Sequence, residues 1–248
     1  MAGLIKRLLG GAQAGASNPW PEARQWAERS QHRFALGRGV EGFAIDVHSD
    51  GGDLRIEWAP SQRRYIDGQE LRIRADIGQA RGLQMMAATR ELLQRLEREV
   101  FEQFTEGTET RIDDDTPEEM RWVVMYPQVP GKLLGALHNR FGLLSDRPSA
   151  STLWLEHGLA APLAASTAWH DADALLMMVV QRGRFVLRMG LPQPRAAVLE
   201  GALALAVAAV AAARRVASDV DSGAVNSQRP SSWGPAPGAP AKPQPDAR

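Results

Sequence analysis

The chain has 248 residues, with 29 basic and 29 acidic side chains and a formal net charge of zero. That balance excludes a global field that would draw it to nucleic acid or to an anionic membrane, and leaves only local patches. Cysteine is absent, which excludes disulfides, thiolate catalysis and cysteine-based zinc sites and is compatible with a cytoplasmic location.

All basic residues but Lys6, Lys132 and Lys242 are arginines, and alanine, glycine and proline are plentiful. This composition reads as that of a GC-rich bacterial genome. Apolar residues make up 44% of the chain, enough for a sizeable core.

Residues 1–18 read as a flexible N-terminus. Leu4, Ile5, Leu8 and Leu9 are interrupted by Lys6 and Arg7, so they do not form the apolar stretch of a signal peptide. A short amphipathic turn touching a membrane or a partner is the alternative to a frayed end. Pro21 and Glu22 suit the first turn of a helix. Trp26, Ser30 and Phe34 give that helix its apolar stripe.

Three strands follow. Phe43, Ile45 and Val47 alternate with polar or small residues, as do Leu54, Ile56 and Trp58, then Leu71, Ile73, Ala75 and Ile77. A two-residue period predicts an antiparallel sheet with one face in a core and one in water. Asp50-Gly51-Gly52 marks the first tight turn. Leu83, Met85 and Ala87 suit a short fourth strand.

Leu92, Leu93, Leu96, Val100, Phe101 and Phe104 recur at helical spacing and predict a helix over 90–106. Thr116-Pro117-Glu118-Glu119 opens another helix, which stops before Pro127. Leu133, Leu134, Leu137, Phe141 and Leu144 predict a third, and 153–163 predicts short pieces divided near Gly158. The 116–166 segment therefore reads as a helical insertion.

Residues 174–181 suit a strand buried on both faces, and Arg182-Gly183 turns it into a hairpin. An alanine-rich helix over 195–217 follows. Its apolar run, 201–213, falls short of the twenty or so residues of a membrane span and fits a core helix. The Ser/Pro/Ala-rich tail, 218–248, lacks an apolar period and reads as disordered. The expected fold is α+β: one domain over 19–217, an antiparallel meander plus a C-terminal hairpin, with helices 90–106 and 195–217 over its apolar face.

Four groupings carry what chemistry the sequence offers. Asp46 and His48 share the polar face of the first strand, with Glu57 beside them, a candidate acid–base or metal site. Arg63, Arg64, Tyr65, Arg72 and Arg74 form a candidate anion-binding patch, with interspersed acids that neutralise it. Asp113, Asp114 and Asp115 resemble cation ligands, yet lack calcium-loop spacing and equally suit a helix start. Trp233 is an aromatic in the proline-rich tail that could anchor a partner.

No phosphate loop, dinucleotide fingerprint, zinc-protease or nucleophile motif occurs, and no cofactor is expected. These observations favour a non-catalytic interaction or adaptor protein in a bacterial cytoplasm, with another protein as partner and nucleic acid disfavoured. An enzyme using the Asp46/His48/Glu57 face or the Asp113–Asp115 loop, and a peripheral membrane protein held by Leu4–Leu9, are the alternatives.

Overall fold

A computed structural model of the chain describes residues 19–37, 41–49, 51–78, 82–106, 117–171 and 174–222, without the side chains of 103–106. The expectations placed on Leu4–Leu9, Asp113–Asp115 and Trp233 lie outside the described residues, as does the tail beyond 222.

Helix α1 spans Pro21–Arg29, opening on its proline and burying Ala23, Trp26 and Ala27. The predicted stripe ran on to Phe34, but the helix stops earlier. Gln31 adopts a left-handed backbone (φ 59), and Phe34 enters strand β1, Arg33–Leu36. There its ring stacks on Phe43 at 5.3 Å, an aromatic contact that the pleated edge offers.

The meander forms as the period required: β2 (Phe43–Val47), β3 (Leu54–Pro60) and β4 (Gln69–Asp76). Strand β5 (Met85–Thr89) follows. Helix α2 (Arg90–Glu106) buries Leu92, Leu93, Leu96 and Val100, while Phe101 falls off the stripe and is exposed. Helix α3 spans Glu118–Met125.

The helix expected through Phe141 and Leu144 is replaced. A short helix α4 (Gly131–Leu134) and a 3-10 turn (Gly135–Asn139) lead into strand β6, Phe141–Ser145. Every residue of β6 is buried, so its apolar residues show no strand-like alternation to read. The 116–166 segment thus supplies a strand to the sheet besides its helices. These include α5 (Pro148–Trp154) and α6 (Ala160–Ala165), with Gly158 turning the chain between them at φ 115.

Strands β7 (Leu176–Gln181) and β8 (Arg184–Gly190) make the hairpin, and α7 runs over Ala196–Asp221, four residues past the expected end. Among the described residues, eight strands join one antiparallel sheet in the order β1-β2-β3-β4-β8-β7-β5-β6.

Helices α2 and α7 do not share a face. Met85 and Ala87 of β5 point into a core with α1, α5, α6 and α7. Met86 and Ala88 point into a second core with α2 and α3. Successive side chains of a strand face opposite ways, so β5, apolar from Met85 through Ala88, needs cover on both sides.

Helix α7 is long and apolar enough to cross a membrane, and half of its most apolar stretch is buried here. Trp154 Nε1 donates to the Ala209 carbonyl at 2.9 Å. Arg214 donates to the carbonyls of Gly51 and Asp76, clamping the helix to the meander.

The first face is tied together by Trp58. It is buried, flanked by Trp20 and Phe43, and its Nε1 donates to the Leu191 carbonyl at 2.7 Å. Trp58→Ala is expected to lower unfolding free energy by about 3–5 kcal/mol in denaturant melts. Arg24→Ala, removing an exposed i,i+4 ion pair with Glu28, is expected to cost under about 0.5 kcal/mol. Equal losses would contradict the placement of Trp58 in the core.

Candidate functional site

The second face of the sheet is covered only in part. Helices α2 and α3 pack over β5, β6 and β7, and the loop after β3 reaches Glu70 and Arg72, which are buried, so this face opens toward β1–β3 and the ends of β4 and β8 that carry Arg74, Asp76 and Arg184. Register places them in rows. One row runs Arg33, Asp46, Arg55, Arg74 and Val186 across five strands. The next runs Ala35, Ala44, Glu57, Arg72 and Arg188. Arginines recurring at every second position therefore become a surface lattice.

Glu57 is the hub. Its Oε2 accepts from Arg72 Nη2 at 2.7 Å and Nε at 3.0 Å, and lies 2.9 Å from Arg74 Nη2. Its Oε1 accepts from Arg55 Nε at 3.1 Å, and Arg55 Nη1 reaches Asp46 at 2.6 Å. Burial alone would raise the Glu57 carboxyl, but hydrogen bonds from Arg72 and Arg55 and the charge of Arg74 outweigh it and hold it low. Arg72 also donates to Gln62, and Arg188 pairs with the buried Glu70.

The structure splits the expected arginine patch. Arg72 and Arg74 lie on the lattice, whereas the loop after β3 carries the other members toward α3. Tyr65 is fully buried and its hydroxyl donates to Glu119 at 2.7 Å, so it offers no stacking surface. Burial and the neighbouring Glu119 push the Tyr65 hydroxyl far up. Arg63 pairs with the same carboxylate at 2.5 Å, and Arg64 lies 3.5 Å from Glu99. Burial would raise Glu119 too, but the Tyr65 hydrogen bond and the Arg63 charge keep it low. This cluster fastens the loop to the helices.

The Asp46/His48/Glu57 set is likewise divided. Asp46 and Glu57 share Arg55, while exposed His48 pairs with Asp53 at 2.8 Å. Among the described residues no group of three or more histidines, aspartates and glutamates could hold a metal.

A groove of about 400 Å³ opens on this face, lined among others by Arg33, Asp46, Arg55, Arg74, Asp76 and Arg184. Arg33 and Arg184 are exposed, and neither has an ion-pair or hydrogen-bond partner for its side chain among the described residues. Neither was singled out from sequence. Arg33 becomes readable only if 33–36 is recognised as a strand, and Arg184 sits at the start of one. Comparison with known proteins finds no matching family model, no matching curated protein and no matching solved structure.

Away from the groove, His170 is buried and its Nδ1 accepts from Arg140 Nη2 at 2.7 Å. Burial first, then the Arg140 charge, pulls its pKa from 6.5 to about 4. The unfolded chain binds the proton first, so acid penalises folding. Stability from this residue is intact above about pH 6.5 and falls by about 3 kcal/mol as the pH drops toward 4. His170→Gln is expected to flatten the curve of unfolding free energy across that window. An unchanged slope would show that His170 is not held neutral.

Proposed function

We propose that this is a non-catalytic interaction protein of a bacterial cytoplasm, whose open sheet face docks an acidic surface of another protein. The observation that carries this reading is the pair Arg33 and Arg184, exposed and without a side-chain partner among the described residues, on a face whose other arginines are ion-paired. They stand on β1 and β8, four strand intervals apart, or about 19 Å at some 4.8 Å per interval. A single small anion does not reach across that span, whereas the charged surface of a protein does.

The arginines between them are held in place by Glu57 and Asp46. Interfaces built this way gain orientation and association rate from complementary charge. Glu57, Asp46, Glu70 and Asp76 lie among the arginines and disfavour the continuous phosphate track of a nucleic acid.

Acid–base chemistry finds no support on this face. Glu57 is held ionised by three guanidinium groups, so it has no proton to give near neutrality. Cysteine-free, arginine-rich composition supports the compartment and source assigned here.

The test uses fluorescein-labelled decaglutamate and fluorescence anisotropy at low salt. The wild-type chain is expected to bind it, with affinity falling as salt rises. Arg33→Glu combined with Arg184→Glu is expected to weaken binding about tenfold or more, since each reversal turns attraction into repulsion. Unchanged affinity in that variant, or tighter binding of a single-stranded oligonucleotide than of decaglutamate, would overturn the proposal.

A further inference from the structure

The two edges of the sheet are treated differently. At β6 the outer side is occupied: Gln128 forms a bridge with Leu144, and Val129 N–H donates to the Leu143 carbonyl at 2.7 Å. At β1 no described residue pairs with the outer side. Unpaired strand edges are templates for another strand, and proteins ordinarily shield them with proline, lysine or a covering segment. The sequence Arg33-Phe34-Ala35-Leu36 contains neither proline nor lysine.

The hydrogen-bond register shows which groups are free. Gly37 N–H donates to the Gly42 carbonyl at 2.9 Å, which makes Gly37 and Gly42 a hydrogen-bonded pair. Bonded and non-bonded pairs alternate along an antiparallel ladder. Arg33 and Ala35 therefore spend their amides and carbonyls on β2, and those of Phe34 and Leu36 point outward.

The side chains beside this edge divide by face. Phe34 packs against the large core, and Leu36, on the same face of the strand, is 48% exposed. Arg33 lies on the opposite face, exposed at the end of the arginine row. A strand laid against β1 would meet apolar surface with every second residue and Arg33 with the alternate ones.

We propose that the edge of β1, open among the described residues, receives an extended segment of a partner protein as a further strand, one that alternates apolar residues over Phe34 and Leu36 with acidic residues on the Arg33 side. This rests on the reading of an acidic protein partner and adds where and how that partner is gripped. Backbone pairing supplies the attachment, and the two side-chain rows supply the selection.

The probe is a labelled nine-residue peptide alternating valine and glutamate, followed by anisotropy with the full chain. Binding is expected, and binding of the valine–lysine counterpart is not. N-methylation of every second peptide amide is expected to abolish binding in one phase of the alternation and spare it in the other, because only alternate amides face β1. Leu36→Pro removes an outward N–H without touching the bonds to β2, and is expected to weaken binding about tenfold or more. Leu36→Val keeps that N–H and is expected to bind within a few-fold of wild type.

Equal sensitivity to both methylation phases, or binding unaffected by Leu36→Pro, would overturn strand addition. If decaglutamate still bound in an Arg33/Arg184-dependent way, the acidic reading of the face would survive that result. Failure of every acidic probe would overturn both. A concentration-dependent dimer in sedimentation that Leu36→Pro abolishes would give the edge to a second copy of the chain and overturn the partner segment.

Discussion

The pairing of β4 with β8 is the interaction on which the rest of the structure depends. It joins the N-terminal meander to a hairpin more than a hundred residues later, through seven register pairs from Glu70–Gly190 to Asp76–Arg184. Without it the meander and the strands β5–β8 would be two small sheets, each with an extra edge to protect. With it Leu71, Ile73 and Ala75 align with Met189, Leu187 and Phe185, and one apolar surface becomes wide enough for α7 to lie across. Such long-range pairing carries a large loop-closure cost, which apolar burial on both faces must offset.

The same seam organises the charges. Arg72 and Arg188 face each other across it, a repulsive placement unless each has a carboxylate of its own. Glu57 takes Arg72 from the β3 side, and the buried Glu70 takes Arg188. Arginine's fork lets one carboxylate hold several donors without moving. The paired interior of the lattice is therefore rigid and near neutral. The arginines without a partner among the described residues are left at its margins, Arg33 beside the β1 edge and Arg184 at the hairpin.

Much of this was legible in the sequence, and the failures have identifiable causes. Strands β2 and β3 bury one face, and β4 sets apolar residues on one face and charged ones on the other, so the alternation of all three is clean in the sequence. Strand β6 is buried on both faces, and Phe141 and Leu144 then matched a helical stripe by spacing alone. Phe34 matched α1 for the same reason, and only the left-handed turn at Gln31 separates the two elements. Adjacent arginines carry no mark of which surface they will reach: Arg63 and Arg72 look alike in sequence, but one pins a loop to α3 and the other joins the lattice. Glu119 completes the Tyr65 cluster from 54 residues away, a separation that no local pattern encodes.

The seam itself is the most direct place to test the account, and a chain without cysteine permits it cleanly. Ile77 N–H donates to the Gly183 carbonyl at 2.9 Å, so the adjacent pair Asp76–Arg184 is of the non-hydrogen-bonded kind, with Cα atoms about 4.5 Å apart. That spacing lies within the range a disulfide tolerates. A variant carrying Asp76→Cys and Arg184→Cys should oxidise to an intramolecular disulfide in air, read by intact mass and thiol titration. A control carrying Asp76→Cys and Val186→Cys, shifted by two residues, should remain reduced under the same conditions. Crosslinking of the shifted pair in preference to the matched one, or of neither, would contradict the register from which both the core and the arginine face are built.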